Sequence, residues 1–138
     1  MPYWRLFYHV VWGTKGREPL IGDWFASALY QRVADKAVQL GAIVHAVNGT
    51  EDHIHLAASI PPAMALSEMV RQVKGSSSHF INHELDLPVP FAWQAEYGVV
   101  SIGQKQLSTV VEYIKGQKQH HTQQTTIPML ERVSSTDA

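Results

Sequence analysis

The chain is 138 residues long, 45% hydrophobic and 17% charged, which suits one globular domain with a single core and not a disordered segment. It has no cysteine, so disulfides, thiolate metal sites and a cysteine nucleophile are excluded, and any metal must rest on histidine, carboxylate or amide ligands. Eleven basic and twelve acidic residues leave a net charge of −1, which argues against a nonspecific nucleic-acid coat but leaves room for a local basic groove.

The opening stretch MPYWRLFYHVVWG is apolar but too short to span a bilayer, and it lacks a basic leader and a small-residue cleavage site. No signal peptide or membrane anchor is expected, and the expected location is cytoplasmic. Residues 2–12, PYWRLFYHVVW, are rich in aromatic and β-branched side chains and read as a strand. GTKGREP then breaks it with two glycines and a proline and carries Lys15 and Arg17. From Asp23, a plausible N-cap, Phe25, Leu29, Val33, Ala37 and Leu40 recur at helical spacing until Gly41 stops the pattern.

AIVHAVNG (42–49) and HIHLAASI (53–60) are two strands around the short break NGTED, a predicted hairpin. PPAMALSEMVRQVKG (61–75) starts with prolines and repeats Leu66, Met69, Val70 and Val73, which predicts a helix; Gly75 and the serine run weaken its extension to His83. LDLPVPFAWQ (85–94) is a proline-rich loop, YGVVSIG (97–103) a short strand, and QLSTVVEYIKGQKQHH (106–121) a final helix. One domain over 1–122 is expected, with 123–138 as a flexible tail. The order β-α-β-β-α-β-α predicts an α+β, ferredoxin-like sandwich on an antiparallel sheet, with an added C-terminal helix that carries Tyr113. Many unrelated functions share that pattern, so the residues must decide.

The most informative segment is EDHIHLAAS (51–59). Side chains alternate along a strand, so His53 and His55 face one way and Ile54 the other. The imidazoles either grip a metal ion, which needs further ligands from elsewhere, or form the polar side of a half-exposed strand. Asp52 and Glu51 would orient an imidazole N–H in the first case and be turn residues in the second. In the last helix, Leu107, Val110, Val111 and Ile114 form the packing stripe, with Tyr113 and Gln117 four apart beside it and His120 on the same flank. Read from the helix alone, Tyr113 is a boundary aromatic, Gln117 a solvated residue, and His120 and His121 residues favoured by the helix dipole. His9 and His45 read as structural, and the His79/His83 spacing is metal-capable but common. No Walker loop and no G-x-S-x-G element is present.

Taken together, YHVVWGTKGREPLI, DHIHLAASIPP, VRQVKGSSSHFIN and WQAEYGVVSIG with VVEYIKGQ occur in an order that resembles the small single-tyrosine HUH transposases of the insertion sequence 200/605 type, from about Tyr8 to Gln117. Glu51 stands where a proline often precedes the Asp-His pair. The resemblance implies that His53, His55 and Gln117 hold a divalent ion, Mg²⁺ or Mn²⁺, and that Tyr113 is the nucleophile. It implies a homodimer, with active sites that can be composite, acting on single-stranded DNA hairpins through a 5′-phosphotyrosine intermediate. Lys15, Arg17, Arg71 and Lys74 are the candidate DNA contacts, and Trp12, Trp93 and Tyr97 either stack on unpaired bases or pack in the protein. Two other readings stay open: a domesticated, repeat-associated protein that nicks or binds hairpin DNA, and a ferredoxin-like binding module without catalysis.

Overall fold

A computed structural model of the chain describes residues 2–135; Met1 and the last three residues of the 123–138 segment lie outside the described residues. Four strands, β1 (Phe7–Gly13), β2 (Ile43–Gly49), β3 (His53–Ser59) and β4 (Gly98–Ile102), form one sheet in the order β2-β3-β1-β4. Every neighbouring pair is antiparallel, which with the helices between them is the ferredoxin-like α+β arrangement expected from the sequence.

The two faces of the sheet are sorted by the alternation of side chains. Val10 and Trp12 of β1 and Ile54 and Leu56 of β3 point to one face, where α1 (Asp23–Gln39) and α2 (Leu66–Glu84) cover them with Phe25, Leu29, Val33, Met69, Val73 and Ile81. Phe7 of β1 and Ala57 of β3 point to the other face, against Val110, Tyr113 and Ile114 of α3 (Leu107–Lys115) and Leu130 of α5 (Pro128–Glu131). His9, His53 and His55 follow the second parity. They are fully buried, under the C-terminal helices.

Four local outcomes differ from, or sharpen, the sequence reading. The first strand begins only at Phe7, and Tyr3 is exposed. Helix α2 runs unbroken past Gly75 because Ser77, Phe80 and Ile81 continue the buried stripe, and Ser77 and Ser78 donate their hydroxyls to the carbonyls of Val73 and Gly75 within the helix. The expected single helix over 106–121 is divided at Gly116 into α3 and α4 (Gln117–Gln123), with the Glu112 carbonyl still accepting from Gly116 N–H. Beyond Thr122, residues 128–131 form the short helix α5 against the sheet, with Leu130 and Val133 buried.

Two glycines make close approaches that a side chain would block. A Cβ on Gly49 would overlap the carbonyl oxygen of His53, so the β2–β3 hairpin closes only with glycine there. A Cβ on Gly98 would overlap the carbonyl oxygen of Arg132, so the C-terminal segment lies directly on β4. Among the described residues, no helix is long and apolar enough to cross a membrane.

Because Ile54 is fully buried between β3's neighbours and the α1/α2 layer, Ile54→Ala should cost about 2–5 kcal/mol of unfolding free energy. Urea denaturation checks this, and a loss below about 1 kcal/mol would contradict the packing described.

Candidate active site

The site is assembled on β3 and closed by the chain after β4. His53 and His55 project from adjacent same-face positions, with ring centroids 5.0 Å apart. Across the strand pair from His55 stands Asn48, whose side-chain amide donates to the carbonyls of Ile114 and Lys115, each at 3.0 Å. Both carbonyls lie in the last turn of α3, where intrahelical donors run out, so Asn48 fixes where α3 ends over β3. One residue later, α4 starts with Gln117, which is fully buried with its Oε1 3.1 Å from His53 Nε2.

Tyr113, on the preceding turn, is buried beside His55 and stacks on His120 at 4.6 Å between centroids. Its hydroxyl accepts from the Ile127 N–H at 2.9 Å and donates to Glu131 Oε2. Glu131 is the residue that the sequence reading did not single out. Its Oε1 lies 3.1 Å from His53 Nε2, 3.2 Å from His55 Nε2 and 3.2 Å from His121 Nε2, and its Oε2 accepts from the Gln117 amide at 3.1 Å. His53, His55, His121 and Glu131 thus each bring one ligand atom within 4.8 Å of the others.

The far sides of the two strand histidines are also occupied. His53 Nδ1 is 2.7 Å from Asp52 Oδ1, which as a carboxylate only accepts, so the proton of a neutral His53 sits on Nδ1 and its Nε2 carries a lone pair. Thr50 Oγ1 lies 2.8 Å from the same nitrogen. His55 Nδ1 is 2.7 Å from His9 Nε2, so His9 fixes the ring orientation of His55 from beneath. His9, read from sequence as structural, is held neutral: burial first, then the neighbouring His55, lower its pKa to about 3.

This donor set fits a cation. When His53 is neutral, its Nε2 lone pair faces two acceptors, Gln117 Oε1 and Glu131 Oε1, each at 3.1 Å. Only a proton on His53 or a metal ion relieves that arrangement. Without a metal, burial would lower the His53 pKa, but its hydrogen bonds to Asp52 and Glu131 prevail and carry it up to about 9. Burial also opposes ionisation of Glu131, yet the hydrogen bonds from His53 and His55 hold its carboxyl far below the usual range. Burial and the bond to Glu131 push the Tyr113 phenol up to about 12.

The other candidates lie around or away from this centre. Arg17, in a short 3-10 turn after β1, pairs with Asp52 at 3.3 Å and so stands at the edge of the site; Lys15 is exposed in the same turn. Arg71 and Lys74 sit on α2, across the sheet from the histidines. Arg71 is paired with Glu68, and Lys74 donates to the carbonyls of Gln94 and Glu96. Trp12 is fully buried and meets Trp93 edge-on, so it belongs to the core. His79 and His83 stack on α2 at 4.2 Å, apart from the centre.

The family described as Transposase IS200 like matches residues 2–117. The chain belongs to the IS200-like transposase family. It is 26% identical over 119 residues to the ISDra2 transposase TnpA of Deinococcus radiodurans, spanning 83% of this chain and 85% of that protein. A solved transposase structure from Deinococcus radiodurans is similar with a TM-score of 0.65 and 26% identity, over 85% of this chain and 95% of the other. The fold is also shared with a REP-associated tyrosine transposase bound to a REP hairpin, at a TM-score of 0.65 and 15% identity, over 100% of this chain and 95% of that one. The His/Glu cluster and the buried phenol lie within a fold that transposases use.

The protonation states give a test on the protein kept in chelator. Because the pKa of His53 is raised on folding to about 9, its stabilising contribution is complete below the unfolded value of about 6.5 and is lost as the pH climbs to 9. Glu131, depressed on folding, contributes above the ordinary carboxylate range and loses its contribution on acidification. Melting scans in chelator should therefore show Tm falling between about pH 6.5 and pH 9, and Glu131→Gln should flatten that fall; an unchanged slope in the variant would contradict the coupling.

Proposed function

We propose that this transposase-family protein cleaves and rejoins single-stranded DNA at hairpin-bearing ends, with Tyr113 as nucleophile and a divalent ion held by His53, His55 and Gln117. The observation that carries this reading is that the Tyr113 hydroxyl and the Nε2 atoms of His53 and His55 meet the two oxygens of one carboxylate. A nucleophile and a set of inward-facing ligand atoms thus contact the two oxygens of one carboxyl group. That spacing suits attack on a phosphodiester whose oxygens approach the ligand set. The hairpin-bound structural neighbour supports hairpin DNA as the substrate class.

Bound at this donor set, Mg²⁺ or Mn²⁺ would supply Lewis-acid polarisation of the phosphodiester and neutralise the charge that develops on it. The chain's own residues do the rest. Tyr113, whose phenol is held protonated, is aimed by its stack on His120 and by the Ile127 N–H rather than activated by a strong base. Attack forms a bond from the phenol oxygen to phosphorus and breaks the bond to the 3′ oxygen, and the phenol proton ends on that leaving oxygen. A 5′-phosphotyrosine link and a free 3′-hydroxyl result. Attack by another 3′-hydroxyl reverses the step and returns the proton to Tyr113, so the bond energy is conserved and no nucleoside triphosphate is needed.

Asp52 orients His53, and His9 orients His55, each through the ring nitrogen turned away from the centre. Arg17, beside Asp52 at the edge of the site, and Lys15, exposed in the same turn, would meet phosphates beside the scissile one. Arg71 and Lys74, across the sheet, would serve only DNA that wraps to the α2 side. Tyr113 and the histidines come together within one chain, and exchange of the C-terminal helices between the two copies of a homodimer would rebuild the same site in composite form.

Incubation with labelled single-stranded hairpin DNA from the gene's own flanks, with Mn²⁺, Mg²⁺ or chelator, tests the proposal on a denaturing gel. A metal-dependent covalent adduct is expected from the wild type, and Tyr113→Phe and His55→Ala should reduce it by at least about 10³-fold. Binding without any adduct under all metal conditions would overturn the catalytic reading in favour of a hairpin-binding module.

A further inference from the structure

The metal set implied by the family resemblance uses His53, His55 and Gln117, but two more side chains from the C-terminal end of the chain aim ligand atoms at the same point. We propose that Glu131 and His121 are also ligands of this ion, so that metal binding and docking of the 128–131 segment are one coupled event. This rests on the metal site of the proposed function but not on DNA cleavage.

Atom spacing is the first argument. Adjacent ligand atoms at about 2.1 Å from one ion lie about 3.0 Å apart at octahedral angles and about 3.4 Å apart at tetrahedral ones. Glu131 Oε1 stands 3.1 Å, 3.2 Å and 3.2 Å from the Nε2 atoms of His53, His55 and His121, and His53 Nε2 is 3.1 Å from Gln117 Oε1. One carboxylate oxygen thus meets three imidazole nitrogens at distances that suit both hydrogen bonds and a shared ion.

Ligand chemistry is the second. A set built only from His53, His55 and Gln117 is neutral, and a buried divalent ion there would keep its full double charge with no anion from the protein. Glu131 supplies that anion. Imidazole, amide and carboxylate together suit Mn²⁺, and they also accommodate Mg²⁺ less well. The other oxygen of Glu131 accepts from Tyr113 and Gln117, so the carboxylate bridges the ion's position to the nucleophile.

The third argument is that α5 cannot hold itself. It has four residues, far short of an independently stable helix, so its place depends on what it touches. Leu130 and Val133 anchor it by burial, and the close pass of Arg132 over Gly98 fixes its path. A further anchor is Glu131, whose Oε1 lies 3.1 Å, 3.2 Å and 3.2 Å from the Nε2 atoms of His53, His55 and His121 and whose Oε2 accepts from Tyr113 and Gln117. An ion held by Glu131 and the histidines would tie α5 to β3 in place of the proton that His53 shares with Glu131 when no ion is bound.

The test contains no DNA. Mn²⁺ binding to the whole chain is titrated by the loss of the free-ion electron paramagnetic resonance signal, and amide exchange over residues 127–133 is followed with Mn²⁺ and with chelator. Wild type should bind one Mn²⁺, and Glu131→Ala and His121→Ala should each weaken it at least about tenfold. Mn²⁺ should slow exchange over 127–133 in the wild type, and that protection should vanish in Glu131→Ala. Glu131→Gln keeps the volume and an amide oxygen and controls for a simple loss of packing: it should bind Mn²⁺ more weakly than wild type, with the fold intact by circular dichroism. Unchanged or tighter Mn²⁺ binding in the Glu131 variants, with His55→Ala still abolishing it, overturns the inference while leaving the three-ligand metal site standing. No Mn²⁺ binding by the wild type overturns both.

Discussion

The side-chain alternation of β3 is the constraint on which the rest of this structure depends. Ile54 and Leu56 must enter the layer under α1 and α2, and that burial forces His53 and His55 into the opposite layer, where they are equally inaccessible to water. A one-residue slip of β3 would drive two imidazoles into an apolar core and set two large aliphatic side chains among the polar groups of the other layer. The register with β1 and β2 on either side is therefore defended by the same energy that makes the core. Two buried imidazoles on one face are costly unless something on that face meets their nitrogens, and Gln117 of α4 and Glu131 of α5 do so.

The supporting groups follow from this. Each strand histidine is gripped from behind, His53 by Asp52 and Thr50 and His55 by His9, which leaves the Nε2 atoms converging at the front. Asn48 locks the end of α3 against β2 so that Tyr113 and Gln117 arrive over the same point. The site is thus set on strands and helix ends, which are rigid platforms. Membership of the IS200-like transposase family is consistent with such a platform presenting a phenol beside inward-facing ligand atoms.

How much of this was legible in the sequence differs by element, for physical reasons. Strand alternation and helical periodicity are local properties, so the sheet, α1, α2 and the shared face of His53 and His55 could be read from spacing. The division of the last helix at Gly116 changes the axis without changing the i, i+4 relation of Tyr113 and Gln117, and the two residues still meet His53 and His55. Residues 123–135 gave no periodic signal, because α5 is too short to have one and is held by long-range contacts; Glu131 was invisible for that reason. His121 looked like an ordinary helix-end residue until the fold turned it towards His53. Charge marks Arg71 and Lys74 as candidate DNA contacts, but charge does not tell which side of a sheet a helix will cover.

The central claim is that these side chains converge on one cation position next to Tyr113. Anomalous scattering from crystals soaked in Mn²⁺ tests it most directly. The account predicts a single strong peak within about 2.3 Å of the Nε2 atoms of His53 and His55 and of Gln117 Oε1. A peak elsewhere, such as between His79 and His83, or no peak in crystals that hold Mn²⁺ in solution at millimolar concentration, would contradict it.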